Sequence, residues 1–149
     1  MERDQIPRYV TDASVAVKWF VEETDTAQAV KLKGLFENGE IELEAPSLLT
    51  YEVASALRFH PKIRFALKQF LGAIEVLSEL QITREPNEAE WSTALRLSLE
   101  NPVSVYDAAY LSFALHGAAK MVTADSSFLR NLKSTEVSQS VVLLSEMIV

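Results

Sequence analysis

Polar and apolar positions alternate through "IELEA" (residues 41–45), the period-2 signature of a half-buried strand. Three more short runs rich in β-branched residues read as strands: "RYVTDA" (8–13), "KMVTA" (120–124) and "SVVLL" (140–144). "QITRE" (81–85) is a shorter candidate of the same kind. Between them the spacing of apolar residues changes to that of helices. "SVAVKWFVEE" (14–23) and "TDTAQAVKLKGLFENGE" (24–40) come first, the second stopping near Asn38-Gly39. Pro46 is expected in the first turn of "PSLLTYEVASALRFH" (46–60), where a missing N–H is tolerated. Beyond Pro61 a helix is expected over "KIRFALKQFLGAIEVLSEL" (62–80). "NEAEWSTALRLSLE" (87–100) carries Asn87 as cap and Glu90 in the capping-box position. "SVYDAAYLSFALHG" (104–117) is stopped by Gly117, and "DSSFLRNL" (125–132) is a short last helix.

Strands that alternate with helices predict an α/β fold with a parallel sheet covered on both faces. The length of 149 residues suits one domain spanning residues 1–149. In such sheets ligands bind beyond the carboxyl ends of the strands, where the strand order reverses. Asp12 and Asp125 both stand where a strand hands over to a helix, so both are expected on that edge.

Composition narrows the chemistry. The chain has no cysteine, which removes disulfides, thiolate zinc sites and cysteine nucleophiles. No apolar run reaches the ~18 residues of a membrane span, so no membrane partner is expected. The charged start "MERDQIPRYV" lacks the apolar core of a secretory leader, and a cytoplasmic location is the default expectation. A net charge of −7 argues against broad, non-specific binding to nucleic acid, which needs lysine and arginine on phosphates. It leaves room for a nuclease whose site holds several acids while a local basic patch holds substrate.

Four acids stand out. Asp12 and Asp125 could each simply cap the helix that follows, and Ser104-Val-Tyr-Asp107 fits a capping box with Asp in place of Glu. Glu52 is harder to explain locally: its neighbours at i−4, i+3 and i+4 are Leu48, Ser55 and Ala56, none of them a cation. If the four converge, they repel one another unless a divalent cation lies among them. All-oxygen donors favour Mg²⁺ or Mn²⁺, which lower the pKa of a bound water and stabilise displacement at phosphorus.

The chain resembles the PIN-domain ribonucleases, especially the small VapC-type toxins of toxin–antitoxin pairs. The resemblance rests on "VTDASVAVKWF" (10–20), "APSLLTYEVASAL" (45–57), "SVYDAAYLSFAL" (104–115) and "MVTADSSFL" (121–129), in matching order and spacing over essentially the whole chain. It implies a three-layer α/β/α sandwich around a parallel sheet of about five strands, and a Mg²⁺- or Mn²⁺-dependent endoribonuclease. It makes Asp12, Glu52, Asp107 and Asp125 the catalytic acids. Asp12 and Asp107 are the expected direct metal ligands, with Glu52 and Asp125 acting directly or through water. Thr123 matches a hydroxyl that orients a neighbouring carboxylate, and Ser14 does likewise or caps the first helix. The resemblance further implies 5′-phosphate and 3′-hydroxyl products, a homodimer, and inhibition by a cognate antitoxin. The alternatives within the fold are a stand-alone PIN nuclease of RNA processing or decay, and a catalytically silent PIN-fold binding module.

Rival acid-based folds fit less well. A haloacid-dehalogenase-type phosphatase needs a second acid two residues after its nucleophile, where this chain has Ser14. A receiver domain needs an acidic pair near the first strand, and Thr11-Asp12 is not one.

Other residues carry weaker signals. His60 and His116 lack ligand spacing and read as packed or surface residues. Trp19, Phe20, Tyr106, Tyr110 and Phe113 fall on apolar faces and read as core, while Trp91 on an acidic helix could meet a partner. The 62–80 segment is apolar on more than one face, which suggests a dimer or antitoxin interface. Between Glu52 and Glu75 there is no acid, yet Arg58, Lys62, Arg64 and Lys68 are present, a candidate track for RNA phosphates.

Overall fold

The computed structural model describes residues 5–147. Residues 1–4, which open the charged N-terminal stretch, lie outside the described residues. Five strands form one parallel sheet: β1 (Arg8–Thr11), β2 (Glu42–Pro46), β3 (Thr83–Arg84), β4 (Lys120–Thr123) and β5 (Val141–Leu143). Their order is β3-β2-β1-β4-β5, so the chain steps outward on one side of β1 and then returns to build the other side. The order therefore reverses between β1 and β4. Val10, Met121 and Val122 on these two strands are fully buried, as expected of parallel strands covered on both faces.

Eight helices connect and flank the strands: α1 (Ala13–Ala16), α2 (Thr26–Glu37), α3 (Leu48–Arg58), α4 (Leu67–Leu80), α5 (Glu88–Glu100), α6 (Val105–His116), α7 (Ser126–Arg130) and α8 (Thr135–Ser138). Right-handed crossovers place α1–α4 on one face and α5–α6 on the other. In agreement, α3 packs on α1 and α4, while α6 packs on α5 and lies across β2, β1 and β4. The result is the expected three-layer α/β/α arrangement, and among the described residues no helix is long and apolar enough to cross a membrane.

Several boundaries differ from the sequence reading. The 14–23 helix breaks after one turn into a 3-10 turn at Val17–Trp19. Tertiary bonds redirect the chain there: Trp19 Nε1 donates to Ala29 O at 2.9 Å, and the buried Lys18 ammonium lies 3.6 Å from Glu23. Pro46 ends β2 instead of opening α3. Its neighbours Ala45 and Ser47 supply the N–H groups that bond β3, at 2.9 Å to Ile82 O and to Arg84 O, so the ring costs that pairing nothing. The 62–80 helix starts only at Leu67. His60, 7% exposed, holds the preceding loop by accepting the Lys62 and Ile63 N–H groups at Nδ1, each at 3.2 Å. Short α8 and a 3-10 turn at Leu144–Glu146 have no counterpart in the sequence reading.

Candidate active site at the switch point of the sheet

The parallel register of β1 and β4 pairs Thr11 with Val122, which brings the next residues, Asp12 just past β1 and Thr123 at the end of β4, side by side. Asp12 is 6% exposed and Thr123 fully buried. Thr123 Oγ1 donates to Asp12 Oδ2 at 2.5 Å, and Ser14 Oγ donates to Asp12 Oδ1 at 2.6 Å. The Val15 N–H adds a bond to Oδ1 at 3.2 Å, so Asp12 caps α1 as well. Ser14 in turn accepts the Ala124 N–H at 2.8 Å, and Thr123 accepts the Asp125 N–H at 3.1 Å. These two hydroxyls lock the start of α1 to the end of β4. Burial nevertheless pushes the Asp12 carboxyl up to about 6, the three hydrogen bonds offsetting part of the rise and the charge of Asp107 adding to it.

The other acids arrive from separate elements. Glu52 lies mid-α3, and its Oε1 accepts a 2.6 Å hydrogen bond from the buried Tyr110 hydroxyl of α6. Asp107 lies in the first turn of α6, whose cap Ser104 accepts the Asp107 N–H at 3.0 Å. Only this half of the capping box is made among the described residues. Asp125 caps α7, its Oδ1 accepting from Ser127 N at 2.9 Å and Ser127 Oγ at 2.6 Å.

Electrostatics links the acids through Asp107. The Asp107 carboxyl is raised first by burial and then by the charge of Asp125. Glu52 is raised first by burial, with the Tyr110 bond working against the rise and Asp107 adding to it. The Tyr110 hydroxyl is held well above its usual range by burial and by Glu52, Asp12 and Asp107. Asp107 is thus the common neighbour. No cation is paired with any of the four among the described residues. Nor do any three His, Asp or Glu side chains among them stand close enough to enclose a metal ion by themselves. All-oxygen donors with uncompensated negative charge, two or fewer at ligating distance, fit a hard divalent ion that keeps several of its waters.

The remaining sequence candidates are placed as follows. Arg58 ends α3, Lys62 and Arg64 lie in the loop before α4, and Lys68 lies in its first turn; all four are exposed and none pairs with a carboxylate among the described residues. His60 Nε2 faces Glu23 at 3.2 Å and His116 Nε2 faces Thr93 at 2.8 Å, in agreement with structural roles. Tyr110 and Phe113 are core, whereas Tyr106 is 63% exposed and does not pack inside as expected. Sequence reasoning missed the Tyr110 hydroxyl as the partner of Glu52. Its one signal was a phenol, in place of Phe, a single helical turn after Asp107.

A parallel sheet of this order, with helices on both faces and Asp12 and Thr123 side by side where the order reverses, defines an α/β sandwich. The PIN domain model matches residues 9–132, and the chain belongs to the PIN domain family, whose members are typically nucleases that use divalent metal. No curated protein matches significantly. Among solved structures, the chain is similar to PAE2754 from Pyrobaculum aerophilum at 20% identity and a TM-score of 0.65, covering 94% of this chain and 85% of that one. A chain of a toxin–antitoxin complex from Klebsiella pneumoniae gives 16% identity and 0.65, with 93% and 99% covered. A chain of VapBC2 from Rickettsia felis, bound to a DNA fragment from its promoter, gives 13% and 0.63, with 91% and 96% covered.

Proposed function

We propose that this protein is a Mg²⁺- or Mn²⁺-dependent endoribonuclease acting as the toxin of a VapBC-type toxin–antitoxin pair. The observation that carries the reading is the position of Asp107, whose charge acts on the buried Asp12 and on Glu52 and which is itself acted on by Asp125, with no protein cation paired with any of the four among the described residues. Asp12 and Asp107 would hold the ion, with Glu52 and Asp125 reaching it directly or through water. When bound, the ion supplies a water of lowered pKa and neutralises charge at the phosphorus under attack.

The chain's own residues do the rest. Ser14 and Thr123 fix both oxygens of Asp12, so the carboxylate needs no reorganisation to meet a cation. Tyr110 holds Glu52 by Oε1 and leaves Oε2 to accept a proton from an attacking water. Asp125 uses Oδ1 for its cap, which leaves Oδ2 for a second partner. Arg58, Lys62, Arg64 and Lys68 are the proposed contacts to RNA phosphates.

One of the structural relatives is described as a toxin–antitoxin complex and another as VapBC2, which supports a cognate antitoxin as partner. Helix α4 presents Leu67, Leu71 and Ile74 at 73%, 57% and 38% exposure, more apolar surface than a solvated helix needs, and is the proposed face for the antitoxin or a second copy. Calorimetric titration with Mn²⁺ tests the site: wild type binds, and Asp12→Asn and Asp107→Asn do not. Unchanged Mn²⁺ binding in both variants would overturn the assignment.

A further inference from the structure

Beside Glu52 the surface opens into a groove of about 370 Å³ lined by Leu48, Tyr51, Glu52, Ser55 and Tyr106. Tyr51 is 79% exposed and Tyr106 63% exposed, each immediately preceding a proposed catalytic acid, Glu52 and Asp107. Leu48 and Tyr106 also line a smaller, mostly apolar cleft of about 110 Å³ that runs on to Trp91, itself 44% exposed. Three aromatic rings therefore follow one another along the surface next to the acids, with Tyr106 between the two recesses. Neither exposed tyrosine is needed to fill the core.

We propose that Tyr51 and Tyr106 form a stacking shelf on which unpaired bases of the RNA substrate lie while its backbone meets the acids. The proposal rests on the nuclease reading above and deepens it. Aromatic faces attract the π-faces of bases whatever their identity, and only unstacked bases can offer those faces. An A-form duplex keeps its bases stacked inside and cannot use the shelf. Charge follows the same line: on α3, Tyr51, Ser55 and Arg58 fall at i, i+4 and i+7, one stripe of the helix. Arg58 is exposed and has no carboxylate partner among the described residues, so it stands ready for a phosphate one step beyond the shelf. An apolar peptide would bury the Glu52 carboxylate on this wall at a cost in desolvation that a hydrated nucleotide chain does not impose.

The test uses full-length protein and a single-stranded oligoribonucleotide carrying 2-aminopurine, in EDTA to hold cleavage off, beside a blunt duplex of the same sequence. Wild type is expected to bind the single strand and quench the probe. Tyr51→Ala and Tyr106→Ala each weaken that binding on the order of tenfold and relieve the quench, while Tyr51→Phe and Tyr106→Phe retain both. Duplex affinity is the same in all five proteins. Alanine variants that keep wild-type affinity and quench overturn the shelf and give the groove to a polypeptide partner; so does a wild type that does not bind the single strand. The nuclease reading is scored separately by adding Mn²⁺: a protein that binds and quenches but never cleaves refutes that reading and leaves the shelf standing.

Discussion

The Tyr110 hydroxyl reaches across 58 residues of sequence to donate a 2.6 Å hydrogen bond to Glu52 Oε1, tying α6 to α3 at the edge of the acidic site. Tyr110 is 1% exposed, so its ring is core and its oxygen is site. Tyr110→Phe keeps the packing and removes only this bond. Because the bond works against the burial that raises Glu52, its loss raises that carboxyl further. The expected result is an acid limb of the pH–rate profile displaced to higher pH and a loss of about 1 kcal/mol of stability. An unshifted profile would show that Glu52 does not titrate in the reaction.

Asp12 makes the metal-free fold sensitive to pH. Its carboxyl lies near 6 in the folded protein against an ordinary 3.8, so the folded state binds the proton more tightly than the unfolded state does. The stabilising contribution is complete below about pH 4 and is lost as pH rises through about 6. In EDTA, Asp12→Asn is therefore expected to exceed wild type in stability by roughly 2–3 kcal/mol at pH 7.5 and to match it near pH 4. Thermal melts at the two pH values measure this. Equal melting temperatures at pH 7.5 would remove the buried-charge argument.

Away from the site, Arg84 holds Glu90 through two bonds, at 2.7 and 2.8 Å, and stacks its guanidinium 4.1 Å above the Phe113 ring. Glu90 is 2% exposed and also accepts the Asn87 N–H in the α5 capping box. Arg84→Met strands this carboxylate. Half-exposure of Arg84 moderates the cost, which should be about 2 kcal/mol by urea denaturation at pH 7. Arg84 holds the Glu90 carboxyl below its ordinary 4.5, so the pair's contribution is present above that value and is lost as pH falls through the depressed one. The gap between variant and wild type should therefore narrow in acid.

The acid-free stretch around α4 makes a prediction about salt. Replacing Arg58 and Lys62 together by alanine should weaken RNA binding and reduce the log–log salt slope by about 0.7 for each phosphate that is no longer neutralised. Mn²⁺ binding should not change. Filter binding at three salt concentrations measures the slope; a wild-type slope would turn this surface over to the antitoxin.

Legibility in the sequence follows the range of the interactions. Asp12 and Asp125 can be placed because alternation of strands and helices determines where strands end, and strand ends at a reversal of order face ligand. The capping box of Asn87 and Glu90 is local, and the structure makes it as the sequence predicts. The start of α4 is not legible, because five residues of good helical pattern lose to the His60 ring, which belongs to the preceding turn and captures two backbone N–H groups. The bidentate hold of Arg84 on Glu90 depends on β3 meeting α5 and leaves no periodic trace. Tyr106 and Tyr110, four apart on α6, look equivalent on hydrophobic pattern. One enters the core and the other stays on the surface, because Tyr106 lies in the first turn of α6 and Tyr110 one turn further in, a difference along the helix axis that periodicity does not record.

Metal-dependent hydrolysis by the four acids is decided by cleavage of a defined single-stranded RNA panel by purified protein, in EDTA, Mg²⁺ and Mn²⁺ and beside Asp12→Asn. Wild type should make discrete cuts with Mg²⁺ or Mn²⁺ and none in EDTA, and Asp12→Asn should make none under any condition. Cleavage that persists in chelator, or at wild-type rate in Asp12→Asn, would contradict that mechanism.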